Sequence, residues 1–349
     1  MRILVHEFVS GGGFAGRRAP AALAREGAAM RDALVADLVA LRRHRVLVTV
    51  DRRFPLPAEL RDVATVTLDR APGLDGILDR VDAAWLVAPE TNGCLERLAA
   101  QAERRGVALL GPSAAAIRRA SDKAALHRRL VRRRVPHPET RVVTTHAAAR
   151  AAAAAMGFPL VVKPPRGAGC DGVGLVRSAR ELDPVLGDAR RAAASGPLLL
   201  QRYVPGVAAS VSLLVTRGRA AVLSVNAQSM RTARAFTYRG GATPLDHPLA
   251  ARARVVARRV CRVLPGLKGY VGVDMVLSRD EAWVIEVNPR LTTAYLGVRR
   301  ALPANVAALA LAACGGRLRP IAPARRRVRF TASGRVLVSV PRPRAGPGR

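Results

Sequence analysis

Asp274, Glu286 and Asn288 are the residues whose types and spacing point most directly to chemistry: two carboxylates and an amide, an oxygen-donor set suited to a hard cation. In Gly269-Tyr-Val-Gly-Val-Asp-Met-Val-Leu277 and Ala282-Trp-Val-Ile-Glu-Val-Asn288, apolar residues alternate with others at a period of two. The spacing predicts two neighbouring strands that turn all three donors toward one place. Magnesium favours such donors and keeps room in its shell for substrate phosphates, so nucleotide chemistry fits better than a closed structural metal site. A solvated acidic face on a hairpin would carry the same three residues, and the rest of the chain decides between the two readings.

Lysine occurs only at 123, 163 and 268, in a chain otherwise dominated by arginine. Lys163 closes the apolar strand Phe158-Pro-Leu-Val-Val-Lys163, where a long point-charge cation can reach an α- or β-phosphate, and Lys123, on a helix of the preceding segment, is a second candidate. Gly167, Gly169 and Gly172 lie in Gly167-Ala-Gly-Cys-Asp-Gly-Val-Gly174, a formal G-x-G-x-x-G. The glycines lead into a strand, Val173-Gly-Leu-Val176, and not into the helix that a dinucleotide fingerprint requires. The segment therefore reads as a hairpin flap whose backbone N–H groups can fold over phosphates, or more plainly as a surface hairpin. Farther on, Leu198-Leu-Leu-Gln201-Arg-Tyr203-Val204-Pro-Gly206 runs from a strand into a hinge-like turn whose exposed backbone can hydrogen-bond an adenine edge.

These residues need a scaffold. Strands at 2–5, 45–50, 83–88 and 107–110 alternate with helices near 21–42 and 92–105, which predicts a parallel sheet covered by helices, with Ser10 to Gly13 and Pro89 to Asn92 at the carboxyl ends of its strands. Gly111-Pro112-Ser113 marks a boundary. Next come a helix over 121–130, a strand at 140–144, an alanine-rich helix at 146–156 and the Lys163 strand. Beyond 198 the pattern is strand-rich, with a helix around 247–263, and 325–340 reads as a hairpin turning at Ser333-Gly334 before a loose basic tail.

The 349 residues allow about two domains, or one domain with a lid. A formal charge of +33 would suggest nucleic acid, but the arginines are spread along the chain and aromatics make up only 3%, so no stacking platform is expected. Cys94, Cys170, Cys261 and Cys314 form no Cys-x-x-Cys pair, which argues against a zinc site or disulfide framework and fits a reducing cytoplasm. No apolar run approaches the roughly 18 to 20 residues needed to span a bilayer, so no membrane association is expected. The histidines at 6, 44, 127, 137, 146 and 247 show no ligand spacing, and no Ser-His-Asp or Cys-His arrangement stands out.

The order Lys123, Lys163, glycine flap, Gln201 hinge, Asp274, Glu286, Asn288 resembles the ATP-grasp superfamily over about residues 112 to 310, with the preceding α/β unit similar to the domain that usually comes first. The resemblance implies an α/β and α+β chain: a parallel α/β domain over 1–112, a lid with the flap over 113–203, a core over 204–325, and a C-terminal hairpin and basic tail over 326–349. It implies ATP contacts from Lys123, Lys163, Gly167, Gly169, Gly172, Gln201, Tyr203 and Val204, and magnesium or manganese at Asp274, Glu286 and Asn288. Lys163 and Arg290 would hold the reacting phosphates.

Val5-His-Glu-Phe-Val-Ser-Gly-Gly-Gly13, Gln201-Arg-Tyr-Val-Pro-Gly-Val-Ala-Ala-Ser-Val-Ser212 and Asn288-Pro-Arg-Leu-Thr-Thr-Ala-Tyr295 look like the tyramine:L-glutamate ligase group of methanofuran biosynthesis. That likeness implies an amide bond formed between an amino acid and an amine. Glu7, Ser10, Gly11 and Gly12 would face the amine, Thr292, Thr293 and Tyr295 the carboxylate, with Asn226, Gln228 and Arg231 toward the same cleft. The chain departs from the pattern in Gln201, where many relatives carry glutamate, and in Ala208, where a ribose-binding acid often sits. Another amino-acid and amine pair, and a basic nucleic-acid-binding protein on a degenerate nucleotide fold, are the alternatives. Nucleic acid is not expected as a partner; a homodimer is compatible with the sequence.

Overall fold

A computed structural model describes residues 1–68, 74–193 and 196–339. The first unit is a parallel sheet. Its strands are β1 (Arg2–Glu7), β2 (Arg45–Val50), β3 (Ala64–Thr67), β4 (Ala83–Val87) and β5 (Ala108–Leu109), in the order β3-β2-β1-β4-β5. Five of the six residues of β1 are buried, as a strand covered on both faces requires. Ile3 and Val5 pack with Leu34, Val35 and Leu38 of helix α1 (Ala21–Ala40), whereas Leu4 packs on the other face with the short α2 (Asp75–Leu78) and with Leu95 and Leu98 of α3 (Cys94–Arg104). Strand β3 and α2 are too short for periodicity to reveal them.

Helices α4 (Ala114–Ser121) and α5 (Lys123–Arg132) come next, with the Ser113 and Asp122 side chains accepting the N-cap bonds from Ala116 and Ala125. A second, antiparallel sheet is formed from β6 (Thr140–Val143), β7 (Leu160–Lys163), β8 (Gly174–Val176) and β9 (Leu198–Arg202), in the order β6-β9-β7-β8. Helices α6 (His146–Met156) and α7 (Ala179–Ala193) cover one face, where Leu160, Val162, Leu198 and Leu200 meet them. Side chains alternate along a strand, so Lys163 and Gln201 emerge together on the opposite face.

The third sheet has seven strands: β10 (Val207–Thr216), β11 (Arg219–Thr232), β12 (Phe236–Thr243), β13 (Gly269–Ser278), β14 (Glu281–Asn288), β15 (Arg327–Thr331) and β16 (Val336–Ser339), in the order β14-β13-β10-β11-β12-β15-β16. Helix α8 (Ala250–Val263) packs Val256 and Val260 against Val211, Leu213 and Val273 on one face. On the other, Leu214, Leu223 and Tyr270 join α9 (Tyr295–Ala301), α10 (Val306–Cys314) and the α1 face of the first sheet in one continuous core. The β15–β16 hairpin pairs around Ser333-Gly334 as its turn residues suggest, and extends the large sheet by pairing with β12. The basic tail expected over 341–349 lies outside the described residues.

The β11–β12 hairpin reaches the small sheet. Ala235 bridges to Gly174, and the Leu175 N–H donates to the Arg234 carbonyl at 2.9 Å, which ties the base of the glycine segment to the large sheet. Among the described residues no single helix is long and apolar enough to cross a membrane; α9 and α10 together meet that composition, but they are bent by 108° and lie in the core.

Candidate active site

Strands β13 and β14 pair so that Asp274 stands opposite Glu286 and Gly272 opposite Asn288, with a bulge after Asp274. The three donors are thus brought together, as the alternation predicts. Asn288 Nδ2 donates to Asp274 Oδ2 and Gln228 Nε2 to Asp274 Oδ1, each at 3.0 Å, which places Gln228 of β11 in the same cluster. Burial, reinforced by the Glu286 charge, pushes the Asp274 carboxyl up to about 8. Burial works in the same direction on Glu286, but the charges of Lys123 and Lys163 outweigh it and hold Glu286 below its usual value. Two facing acids, one of them reluctant to ionise beside the other, fit a divalent cation that would relieve the repulsion. No group of three or more His, Cys, Asp or Glu among the described residues is placed to hold a metal, so the donor set here is two acids and an amide.

Both scarce lysines converge on these acids. Lys123 Nζ lies 3.2 Å from Glu286 Oε2 and donates to the Gly167 carbonyl at 2.9 Å. Lys163 is buried, and burial, followed by the neighbouring Lys123 charge, lowers it to about 8. Its Nζ donates to Gln201 Oε1 at 2.9 Å, while Gln201 Nε2 donates to Thr140 Oγ1 at 2.9 Å. The Gln201 amide thus bridges Lys163 and Thr140 on the uncovered strand face. At the hinge, the Tyr203 N–H donates to the Pro159 carbonyl at 3.1 Å, and the Val204 N–H has no partner among the described residues.

Lys123 links the glycine segment to the acids. Gly169 and Gly172 have φ of +68° and +66°, conformations that a side chain would strain. The Cys170 thiol between them is pushed up to about 12 by burial, with the charges of Glu286 and Asp274 adding to the rise. Arg166 Nη1 reaches Glu96 Oε2 of α3 at 3.3 Å, anchoring the other end of the segment.

Arg290 projects between the first and third sheets. Its Nε and Nη2 donate to Glu90 Oε1 and Oε2 at 2.8 and 3.0 Å, and its Nη1 donates to the Leu291 carbonyl at 3.2 Å. A guanidinium has five N–H groups, so one on each Nη stays available to an anion. Glu90, its partner from the strand end after β4, has no sequence signal linking it to a residue 200 positions away.

Several of the residues expected to meet substrate have partners within the chain. Glu7 accepts from the Val9 and Ser10 N–H groups and from Ser10 Oγ, so its carboxylate staples its own loop, and both residues are buried. Gly11 and Gly12 are packed too tightly for a side chain, a Cβ lying 2.6 Å from Thr49 Oγ1 and 2.5 Å from Leu68 Cβ. Tyr295 is fully buried and donates to Asp37 Oδ2 at 2.5 Å, a contact between units and not a cleft wall. Asn226 is buried among Ser210 and Ser212, Arg231 is exposed on β11, and Ala208, the second residue of β10, pairs with Val276. Thr292 lies against Gly272 and Asn288, and Thr293 Oγ1 donates to Glu26 Oε1 of α1. Sequence reading missed Glu26, and also Tyr238 of β12, whose hydroxyl is raised by burial and then by the charges of Glu26 and Asp274.

A family model described as an ATP-grasp domain matches residues 120–294, and one described as a pre ATP-grasp 3 domain matches residues 44–117. The chain belongs to the ATP-grasp family. An ATP-grasp superfamily protein from Archaeoglobus fulgidus superposes with a TM-score of 0.70 at 26% identity, covering 94% of this chain and 92% of that one. The carbamoyl phosphate synthase large chain of Thermus thermophilus is 27% identical over 269 residues, 75% of this chain. The tyramine–L-glutamate ligase of Methanocaldococcus jannaschii is 36% identical over 101 residues, 29% of this chain. The matches span 25% and 32% of those two relatives' lengths. Two further solved structures of the same fold, 14% and 18% identical with TM-scores of 0.73 and 0.68, are complexes with magnesium ADP or ADP.

Proposed function

We propose that this ATP-grasp protein is an ATP- and magnesium-dependent ligase that joins a carboxylate to an amine through an acyl phosphate, and that the γ-carboxyl of L-glutamate with tyramine or a tyrosine-like amine is the first pair to test. The observation that carries the reading is the in-register pair Asp274 and Glu286 with Lys123 and Lys163 directed onto it. Cations and anions concentrated in one cleft, with no activated nucleophile among the described residues, suit phosphoryl transfer between substrates, where positioning and charge neutralisation supply most of the rate.

Asp274, Glu286 and Asn288 would hold magnesium, which when bound neutralises charge on the β- and γ-phosphate oxygens. Lys163, kept in place by Gln201 and Thr140, would direct its remaining N–H groups to phosphate oxygens. Lys123 would exchange its bond to Glu286 for a phosphate once the nucleotide enters. The Gly167 to Gly172 backbone would exclude water from the acyl phosphate, and Arg290, oriented by Glu90, would bind the carboxylate oxygen as it takes the γ-phosphoryl group. The partial match to a tyramine–L-glutamate ligase supports the named pair, and the longer match to a carbamoyl phosphate synthase large chain supports a synthase-type reaction in general.

ADP release measured over a matrix of amino acids and amines tests the reaction and names the substrates together. A pair that releases ADP well above either compound alone supports the ligase; release no greater than blanks for every pair would defeat it. If only pairs other than glutamate with tyramine respond, the reaction class stands and the named pair falls.

A further inference from the structure

We propose that Glu26 of α1 binds the ammonium group of the amino-acid substrate, so that the acid partner of the ligation is an α-amino acid and not a simple carboxylic acid. The assignment rests on the ligase reading and deepens it. Other carboxylates that the first unit turns inward are already spoken for: Glu7 by its own loop, Asp37 by Tyr295 and Arg299, Glu90 by Arg290. Glu26 differs. Thr293 Oγ1 donates to its Oε1, and it forms no ion pair with a described residue.

The place it occupies is the shared cleft. Thr293 lies three residues beyond Arg290 and five beyond Asn288, and its hydroxyl ties Glu26 to the segment carrying both. Burial raises both the Tyr238 hydroxyl and the Cys170 thiol, and the charges of Glu26 and Asp274 add to each rise. The wall around this point is small and apolar, with Tyr238 packed among Ala29, Ala294 and Leu296. A half-buried carboxylate with a single hydroxyl donor is costly to keep charged, and burial does raise its pKa. An incoming ammonium supplies the missing counter-charge through charge-assisted hydrogen bonds. Arg290, the cation acting on Glu26, is itself paired with Glu90 and does not fill that role.

Glu26→Gln tests this, because its amide oxygen can still accept from Thr293 while the charge is lost. ADP release is followed at saturating ATP, magnesium and amine with the most active L-amino acid of a panel and with the same acid lacking its amino group, glutarate being the counterpart of L-glutamate. The expected result is a rise of about tenfold or more in KM for the amino acid, a much smaller change in kcat, and no change for the des-amino acid, with Glu26→Asp partly restoring KM. An unchanged KM in a variant whose unfolding midpoint matches wild type, an equal rise for both acids, or a rise confined to the amine would overturn the assignment while leaving the ligase standing. A wild-type protein that releases no ADP with any pair would defeat the ligase reading itself, and this assignment with it.

Discussion

Lys163 is where single-residue chemistry is most exposed to test. Its ammonium is lowered to about 8, so it is charged below that pH and loses its proton as pH rises through it. Bound phosphates favour the charged form, so nucleotide binding near pH 8 should take up a proton, and affinity should fall above that pH. Calorimetry in buffers of different ionisation heat measures this directly: wild type should show uptake, Lys163→Arg none, and equal heats in every buffer would count against the phosphate role. Asp274→Asn and Glu286→Gln should each lower kcat by about a hundredfold and shift the magnesium titration, whereas a titration identical to wild type would remove the metal from that site. These residues were legible because rarity and alternation mark them: lysine in an arginine-rich chain, acids at matching places on two strands. Glu26, Glu90 and Tyr238 were not, because their meaning comes from partners far along the chain, and Glu7 misled because a carboxylate beside serine and glycines reads the same whether it binds a ligand or caps its own loop.

At the scale of elements, the glycine segment between β7 and β8 is held at both ends and free of regular structure between them. Gly172→Ala would put a methyl 2.4 Å from Ala192 Cβ at a φ of +66°. The expected outcome is a stability loss of about 1–2 kcal/mol with a higher KM for ATP, read by denaturant titration and ADP release; an unchanged KM would show that the segment does not cover nucleotide. The strand–helix alternation of the first sheet and the flanking strands of the segment could be read from periodicity. The bridge from Ala235 to Gly174 could not, since it is one backbone contact between sheets distant in sequence. Nor could the fate of Gln201: a strand-end amide can face a ligand or a neighbour, and only the register of β7 with β9, which sets Val161 opposite Gln201, brings Lys163 within reach.

Across the whole molecule, the first and third units are joined by buried polar contacts: Tyr295 and Arg299 with Asp37, Asn305 with the Asp37 carbonyl, and Arg290 with Glu90. Tyr295→Phe should cost about 1–2 kcal/mol and leave substrate preference unchanged, since Arg299 still satisfies Asp37. A changed preference among amino acids in the ADP assay, with stability intact, would restore Tyr295 to the cleft. The pairing of Arg290 with a residue 200 positions earlier has its own consequence. Lineages that trade one amino-terminal unit for another to gain a new acceptor would have to import a carboxylate at the place of Glu90, or the guanidinium would swing loose. Heredity can shuffle these modules only as matched sets, and a transplanted nucleotide half would carry a cation with nothing to aim it.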